Sequence, residues 1–237
     1  MKKSLPLISF SIFLIAFDQP AKTIYKKIGQ VTVYDISSTK VFLLTSGLAI
    51  DADGSPKAYN KDNSKALDYL ANAGKVGNWW ALATDNQKSD GNPIIQSSSD
   101  PAPGYYISMT ALQDNTKKYA DQSRYVNSET IPFIVIPPKF SKDFKLGDIA
   151  LVINKKNNNR CYAIVADRGP KNKIGEGSIY LCEQLGGNSN PKKGGISSDI
   201  VYILIKNSGI GQVLSKEKIE EVGKSSLSEA NITEILK

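Results

Sequence analysis

Apolar positions fall into short runs separated by polar, glycine- and proline-containing stretches, a rhythm that predicts strands joined by turns. Residues 31–34 read as a short strand, and residues 40–48 lead a longer apolar run into Asp51-Ala52-Asp53-Gly54. Residues 131–138 form a strand bounded by prolines, and residues 149–153 another. The polar connection NKKNNNR then brings residues 161–166 back antiparallel to 149–153. Tyr162 to Ala166 are continuously apolar, as in a strand buried on both faces, and Gly169-Pro170 ends the run. Residues 199–205 (DIVYILI) give a last core strand. Helical spacing appears in three places. Residues 64–73 carry Ala66, Leu67, Leu70 and Ala71 between a Ser64 cap and a Gly74 stop, residues 178–185 run up to Gly186-Gly187, and the tail from 212 is amphipathic. At least six short strands with loops and few helices predict a mainly β fold, a closed barrel with insertions.

Composition narrows the chemistry. The 237 residues contain 18 Gly and 11 Pro, in keeping with many turns, and no histidine. Without histidine, Ser-His-Asp and Cys-His catalysis and histidine-ligated zinc are removed, which leaves carboxylates, Tyr, Lys and two Cys as reactive groups. The carboxylates fall where chemistry is easy to place. Asp167 closes the apolar run, and Glu176 follows nine residues later between Gly175 and Gly177, where the missing Cβ atoms permit close backbone approach. Paired carboxylates flanking a cleft are the parts needed to break a glycosidic bond, one giving a proton to the leaving oxygen and the other activating water. Asp148 opens the strand antiparallel to the one that Asp167 closes, so it is a candidate third acid.

These segments together resemble the family 75 glycoside hydrolases, the fungal-type chitosanases: DADG early, YYIS, RYVNSETIPFIVIP, a GD turn, then YAIVADRGP and IGEGS. The likeness spans about residues 42–207. It implies a six-stranded double-psi barrel and an inverting endo-hydrolase of β-1,4 links in chitosan or partially N-acetylated chitosan, with the catalytic pair falling on Asp167 and Glu176. It also implies that Asp51 and Asp53 supply negative charge for glucosamine ammonium groups. From its apolar and glycine neighbours Glu176 is expected to be the acid, and Asp167, beside Arg168, the base.

Further residues complete the expected site. Trp79 and Trp80 are adjacent on a strand and so face opposite ways; with Tyr105 and Tyr106 they are candidates for stacking on sugar rings. DADG starts like a calcium loop, but Ser55-Pro56 takes the third acidic position and Asp62 the twelfth, so the expectation is an Asx turn and no metal or cofactor. Cys161 and Cys182 bracket the Asp167/Glu176 turn and are even in number, which predicts a disulfide.

Net charge is +7, or +5 without Lys2 and Lys3. The basic residues are scattered in pairs such as Lys26-Lys27 and Lys155-Lys156 rather than in one stripe, which predicts a solvated surface and no nucleic-acid partner. A positive chain gathers a cationic polymer only if its cleft is acidic. Two lysines followed by an apolar run place a secretory leader over residues 1–21, so the expected product is a secreted monomer with no stable membrane association. Residues 22–211 are then the barrel domain and 212–237 a tail without assigned chemistry. Two alternatives remain: a non-catalytic glycan-binding barrel, and a wall-active hydrolase of another polysaccharide.

Overall fold

A computed structural model describes residues 21–237 apart from Ser38 and Ser141. The leader expected over 1–21 lies, except for Ala21, outside the described residues. Among the described residues, ten strands and three α-helices follow in chain order. An N-terminal hairpin, β1 (Lys22–Ile28) and β2 (Val31–Ile36), leads into the long strand β3 (Val41–Asp51). A small hairpin, β4 (Gly74–Lys75) and β5 (Asn78–Trp79), lies in the excursion that follows. The chain returns through β6 (Phe133–Ile136), β7 (Ile149–Asn154), β8 (Arg160–Arg168) and β9 (Glu176–Ser178). Helix α1 (Ile179–Gln184), strand β10 (Ile196–Ile205), and helices α2 (Lys216–Ser226) and α3 (Glu229–Leu236) complete it.

Six strands close on themselves in the order β3-β10-β7-β8-β6-β9 and back to β3. Pairing is antiparallel except for β6 with β8 and β3 with β9, which are parallel. The expected mainly β closed barrel is therefore the architecture. Closure depends on β3, which pairs with β2 and β10 along its first half and with β9 through Ala49, Ile50 and Asp51. At its bend, a Cβ on Gly47 would lie 2.7 Å from the Ile196 carbonyl, so the close crossing with β10 requires glycine. A register shift in β10 between Ile196 and Ile200 releases the same corner.

Alternation explains the uninterrupted apolar runs. Ala150 and Val152, Ala163 and Val165, and Ile200, Tyr202 and Leu204 share the barrel interior with Leu44, Leu48, Ile134 and Ile136. The intervening Leu151, Ile153, Val201 and Ile203 face outward and are covered by Leu227, Ile232 and Ile235 from the C-terminal helices. The tail is thus an integral outer layer. Gly223 of α2 packs so closely that a Cβ there would meet the Tyr162 ring at 2.2 Å.

Two expectations change here. Residues 64–73 do not form the expected helix; only Leu70–Ala73 makes a 3-10 turn, ended by Gly74. Polar side chains capture the amides that helix would need: Asp62 accepts from Ser64 N (2.9 Å), Asn63 from Leu70 N (2.8 Å) and Asp68 from Tyr69 N (2.7 Å). The expected disulfide is absent, and both cysteines are free thiols. Each is turned to a carbonyl of its own neighbourhood, Cys161 Sγ donating to Tyr162 O (3.3 Å) and Cys182 Sγ to Asn188 O (3.5 Å). Burial pushes the Cys161 thiol up to about 12 and raises that of Cys182, so neither is a ready nucleophile. Helix α1 keeps its expected place, with Ser178 accepting from Leu181 N (3.1 Å) as its cap.

Candidate active site

The site begins with an irregularity in β8. Ile164 and Val165 pair with Phe133 and Ile134 of β6, but Asp167 pairs with Val135, so Ala166 is an extra residue in the ladder. Strict alternation from Ala163 and Val165 would turn Asp167 into the barrel. The extra residue instead re-aims it to the outer face, on the side of Val135. Glu176 of β9 pairs with the same Val135 from the other side of β6, and with Ala49 of β3. Asp51 lies two residues beyond Ala49 on that strand, opposite Ser178. Asp51, Asp167 and Glu176 consequently share one face of the barrel.

The glycines around Glu176 bring strands together. Cβ atoms on Gly175 and Gly177 would lie 2.7 Å from the carbonyls of Gly47 and Phe133, the strands on either side. A Cβ on Gly169 would lie 2.9 Å from Glu176 Oε2 and from Val135 Cγ1, so this glycine leaves the room in which that oxygen sits.

Asp167 is buried and accepts from Arg168 N (2.7 Å) and Ala111 N (3.1 Å) through Oδ1. The latter donor comes from the excursion between β5 and β6, which is also tied to β8 by Leu112 N to Ala166 O (2.8 Å). Burial raises the Asp167 carboxyl to about 7, aided by the charge of Glu176 and opposed by the two amides and Arg168. Glu176 has a different partner: Lys173 Nζ stands 2.6 Å from its Oε1. Arg168 Nη1 is buried with no hydrogen-bond partner among the described residues, and burial lowers the guanidinium's proton affinity while Asp167 raises it.

The DADG segment forms the expected Asx turn, with Asp53 N donating to Asp51 Oδ1 (2.8 Å). Ser128 Oγ donates to Asp51 O and accepts from Ile179 N (3.0 Å), clamping the end of β3 to α1. Tyr59 donates its buried hydroxyl to Asp53 Oδ1 (2.7 Å). Asp51, Asp53 and Asp167 each present an oxygen within 4.8 Å of the others, a spacing that suits one cationic group. A calcium loop is not completed, since Asp62 turns its carboxylate to the Ser64 amide and hydroxyl. Asp51 and Asp53 keep part of their surface open to solvent, yet protein surrounds them on most sides. Desolvation therefore raises both carboxyls well above the usual range, with the Asp167 charge adding to each and that of Asp51 to Asp53.

Other expected site residues divide. Asp148 reaches the same end of the barrel as Asp167 but is wholly buried, its carboxylate accepting from Lys145 N (2.9 Å) and Gly209 N (3.1 Å). It is a turn cap and does not line the site. Trp79 packs in a satellite core with Ala52, Tyr59 and Leu82, so it is no stacking platform. Trp80 is 59% exposed, its ring oriented by Nε1 to Asn72 O (2.8 Å). Tyr105 and Tyr106 are half-buried, Tyr105 donating to Lys65 O (3.1 Å) and Tyr106 packing on the Trp79 cluster. Lys173 was not singled out from the sequence. Its spacing of three from Glu176 is the signal that could have found it.

Concavities of about 320 Å3, beside Pro56 and Tyr125, and about 450 Å3, beside Arg160 and Tyr162, are lined by neither Asp167 nor Glu176.

A closed β-barrel with a desolvated carboxyl and an ion-paired carboxylate on one face has the parts of a carboxylate glycosidase. Residues 86–232 match the family described as fungal chitosanase of glycosyl hydrolase group 75. This match covers more than half of the chain and takes in β6 to β10, α2 and part of α3; the chain belongs to that family of chitosan-hydrolysing enzymes. No curated protein matches it. No helix among the described residues is long and apolar enough to cross a membrane.

Proposed function

We propose that the protein is a secreted, monomeric, endo-acting chitosanase that cleaves β-1,4 links between glucosamine units with inversion, using Asp167 and Glu176. The observation that carries this reading is their common pairing with Val135, one strand to either side on a single face. Two strand spacings put their backbones roughly 10 Å apart. Such a span accommodates carboxyl groups at the about 6.5–9.5 Å separation that leaves room for water in inverting enzymes.

The roles are opposite to those expected from the neighbouring residue types. Asp167, desolvated and raised to about 7, is the general acid that protonates the glycosidic oxygen. Glu176, ion-paired with Lys173, is the base that takes a proton from the attacking water as its oxygen bonds to the anomeric carbon. The leaving sugar departs with the Asp167 proton, and Glu176 keeps the proton from water until both acids re-equilibrate with solvent. Asp51 and Asp53 bind a substrate ammonium group beside the acid, and Trp80 offers the exposed ring for a sugar face. This acidic site also answers the difficulty of a positively charged chain acting on a polycation: local charge, not net charge, meets the substrate.

Proton NMR of chitosan digestion provides the test. Inversion of a β link releases the new reducing end as the α-anomer before mutarotation. Initial β-anomer would exclude the inverting roles given to Asp167 and Glu176, and no cleavage of chitosan would remove the substrate.

A further inference from the structure

Glu176 Oε1 is held by Lys173 Nζ at 2.6 Å, whereas Oε2 lies 2.9 Å from where a Cβ on Gly169 would stand, just past the strand that carries Asp167. No hydrogen-bond partner of Oε2 occurs among the described residues. We propose that Lys173 is a positioning residue for the hydrolysis: its ammonium fixes Oε1 and so presents Oε2 as the proton acceptor. This rests on the assignment of Glu176 as the base.

The loop that carries Lys173 is built to hold this contact. Lys173 N donates to Pro170 O (3.3 Å) within the turn, and the adjoining Ile174 is buried in the barrel core. Gly175, at φ +98°, then presses against Ser46 and Gly47, and its carbonyl accepts from Ala49 N (2.8 Å). The backbone on both sides of Lys173 is thus anchored, so its half-exposed side chain starts from a fixed point three residues before Glu176.

The remaining electrostatics explain why a cation is required. The ionisable groups that act on Glu176 from neighbouring elements are Asp51 of β3, Asp167 of β8 and Tyr202 of β10; Ser46 and Val135 contribute no charge. Lys173 is the cation within ion-pair distance among the described residues. Without it, no cation within ion-pair distance among the described residues holds Oε1, and the carboxylate is free to turn away from the attacking water.

The test compares kcat and KM of wild type, Lys173→Met, Lys173→Gln, Lys173→Arg and Glu176→Gln on soluble chitosan oligomers. In Lys173→Met and Lys173→Gln kcat should fall roughly tenfold while KM stays within a few-fold, because a base oxygen no longer held in place loses its alignment with the attacking water. Lys173→Arg should restore most of kcat. An unchanged kcat in folded Lys173→Met or Lys173→Gln, or a loss confined to KM, would overturn the proposal. If Glu176→Gln itself keeps activity, the base assignment fails instead, so the two failures are distinguishable.

Discussion

Asp167 and Glu176 stand opposite the same residue, Val135, from strands on either side of β6. That relationship exists because β8 contains one residue more than its partner, at Ala166, which turns Asp167 from the barrel interior to the face where Glu176 lies. The two acids then differ in what surrounds them. One is desolvated with only amide donors and Arg168 to oppose it, and the other has a lysine on one oxygen.

Replacing the buried acid should reveal its energetic cost. The folded Asp167 carboxyl is raised to about 7 from the ordinary 3.8, so the native state binds the extra proton between these values. Its contribution to stability is most favourable below about pH 4 and is lost as the pH rises through 7. Asp167→Asn keeps an oxygen for the Ala111 and Arg168 amides and does not titrate. Its unfolding free energy should match wild type near pH 4 and exceed it at pH 8 by on the order of 2–4 kcal/mol, with the melting temperature moving in the same sense. Thermal scans at both pH values check the sign; a destabilised variant at pH 8 would contradict the burial argument.

Room for the base oxygen is the role assigned to Gly169. A methyl group there would lie 2.9 Å from Glu176 Oε2 and from Val135 Cγ1, and both must shift. Gly169→Ala should lower kcat by about tenfold or more while leaving KM within a few-fold, because a displacement of a few tenths of an ångström spoils base geometry before it spoils binding. Steady-state kinetics on chitosan oligomers distinguish this from a KM effect, which would place Gly169 against the substrate instead.

How much of this could be read from the sequence depends on how local the determinant is. The β7–β8 hairpin, the short helix α1 ahead of Gly186-Gly187 and the Asx turn at Asp51 follow from neighbouring residues, and each formed. Closure of the barrel depends on β3 meeting β9 and β6 meeting β8 in parallel, pairings between distant segments that short strands do not announce. The extra residue at Ala166 leaves no mark, since alanine fits either face of a strand. Residues 64–73 carried the spacing of a helix, but Asp62, Asn63 and Asp68 hold the amides otherwise. The acids Asp167 and Glu176 were visible as residues; their opposite environments were not, because burial and Lys173 come from the folded loop.

The cluster of Asp51 and Asp53 should report on substrate charge. Asp53→Asn removes a carboxylate from the proposed ammonium site while leaving an acceptor for the Tyr59 hydroxyl. KM for fully deacetylated oligomers should rise roughly tenfold, and the penalty should shrink for partly acetylated ones and at high salt. Equal losses on both substrates would assign Asp53 to structure.

The C-terminal helices belong to the fold's stability. Ile219 of α2 is fully buried beside Phe133, Ile149 and Ile164. Ile219→Ala should cost about 2–5 kcal/mol in urea unfolding. A loss below 1 kcal/mol would show that α2 adds little to the folded barrel.

The most direct test of the paired-carboxylate account is release of reducing ends from highly deacetylated chitosan by wild type, Asp167→Asn and Glu176→Gln at equal folded concentration. Activity in the wild type with losses of at least about a hundredfold in both variants is the predicted result. Near wild-type release by either variant would contradict the account, because the remaining acid alone cannot both protonate the leaving oxygen and activate the water on the opposite face of the sugar.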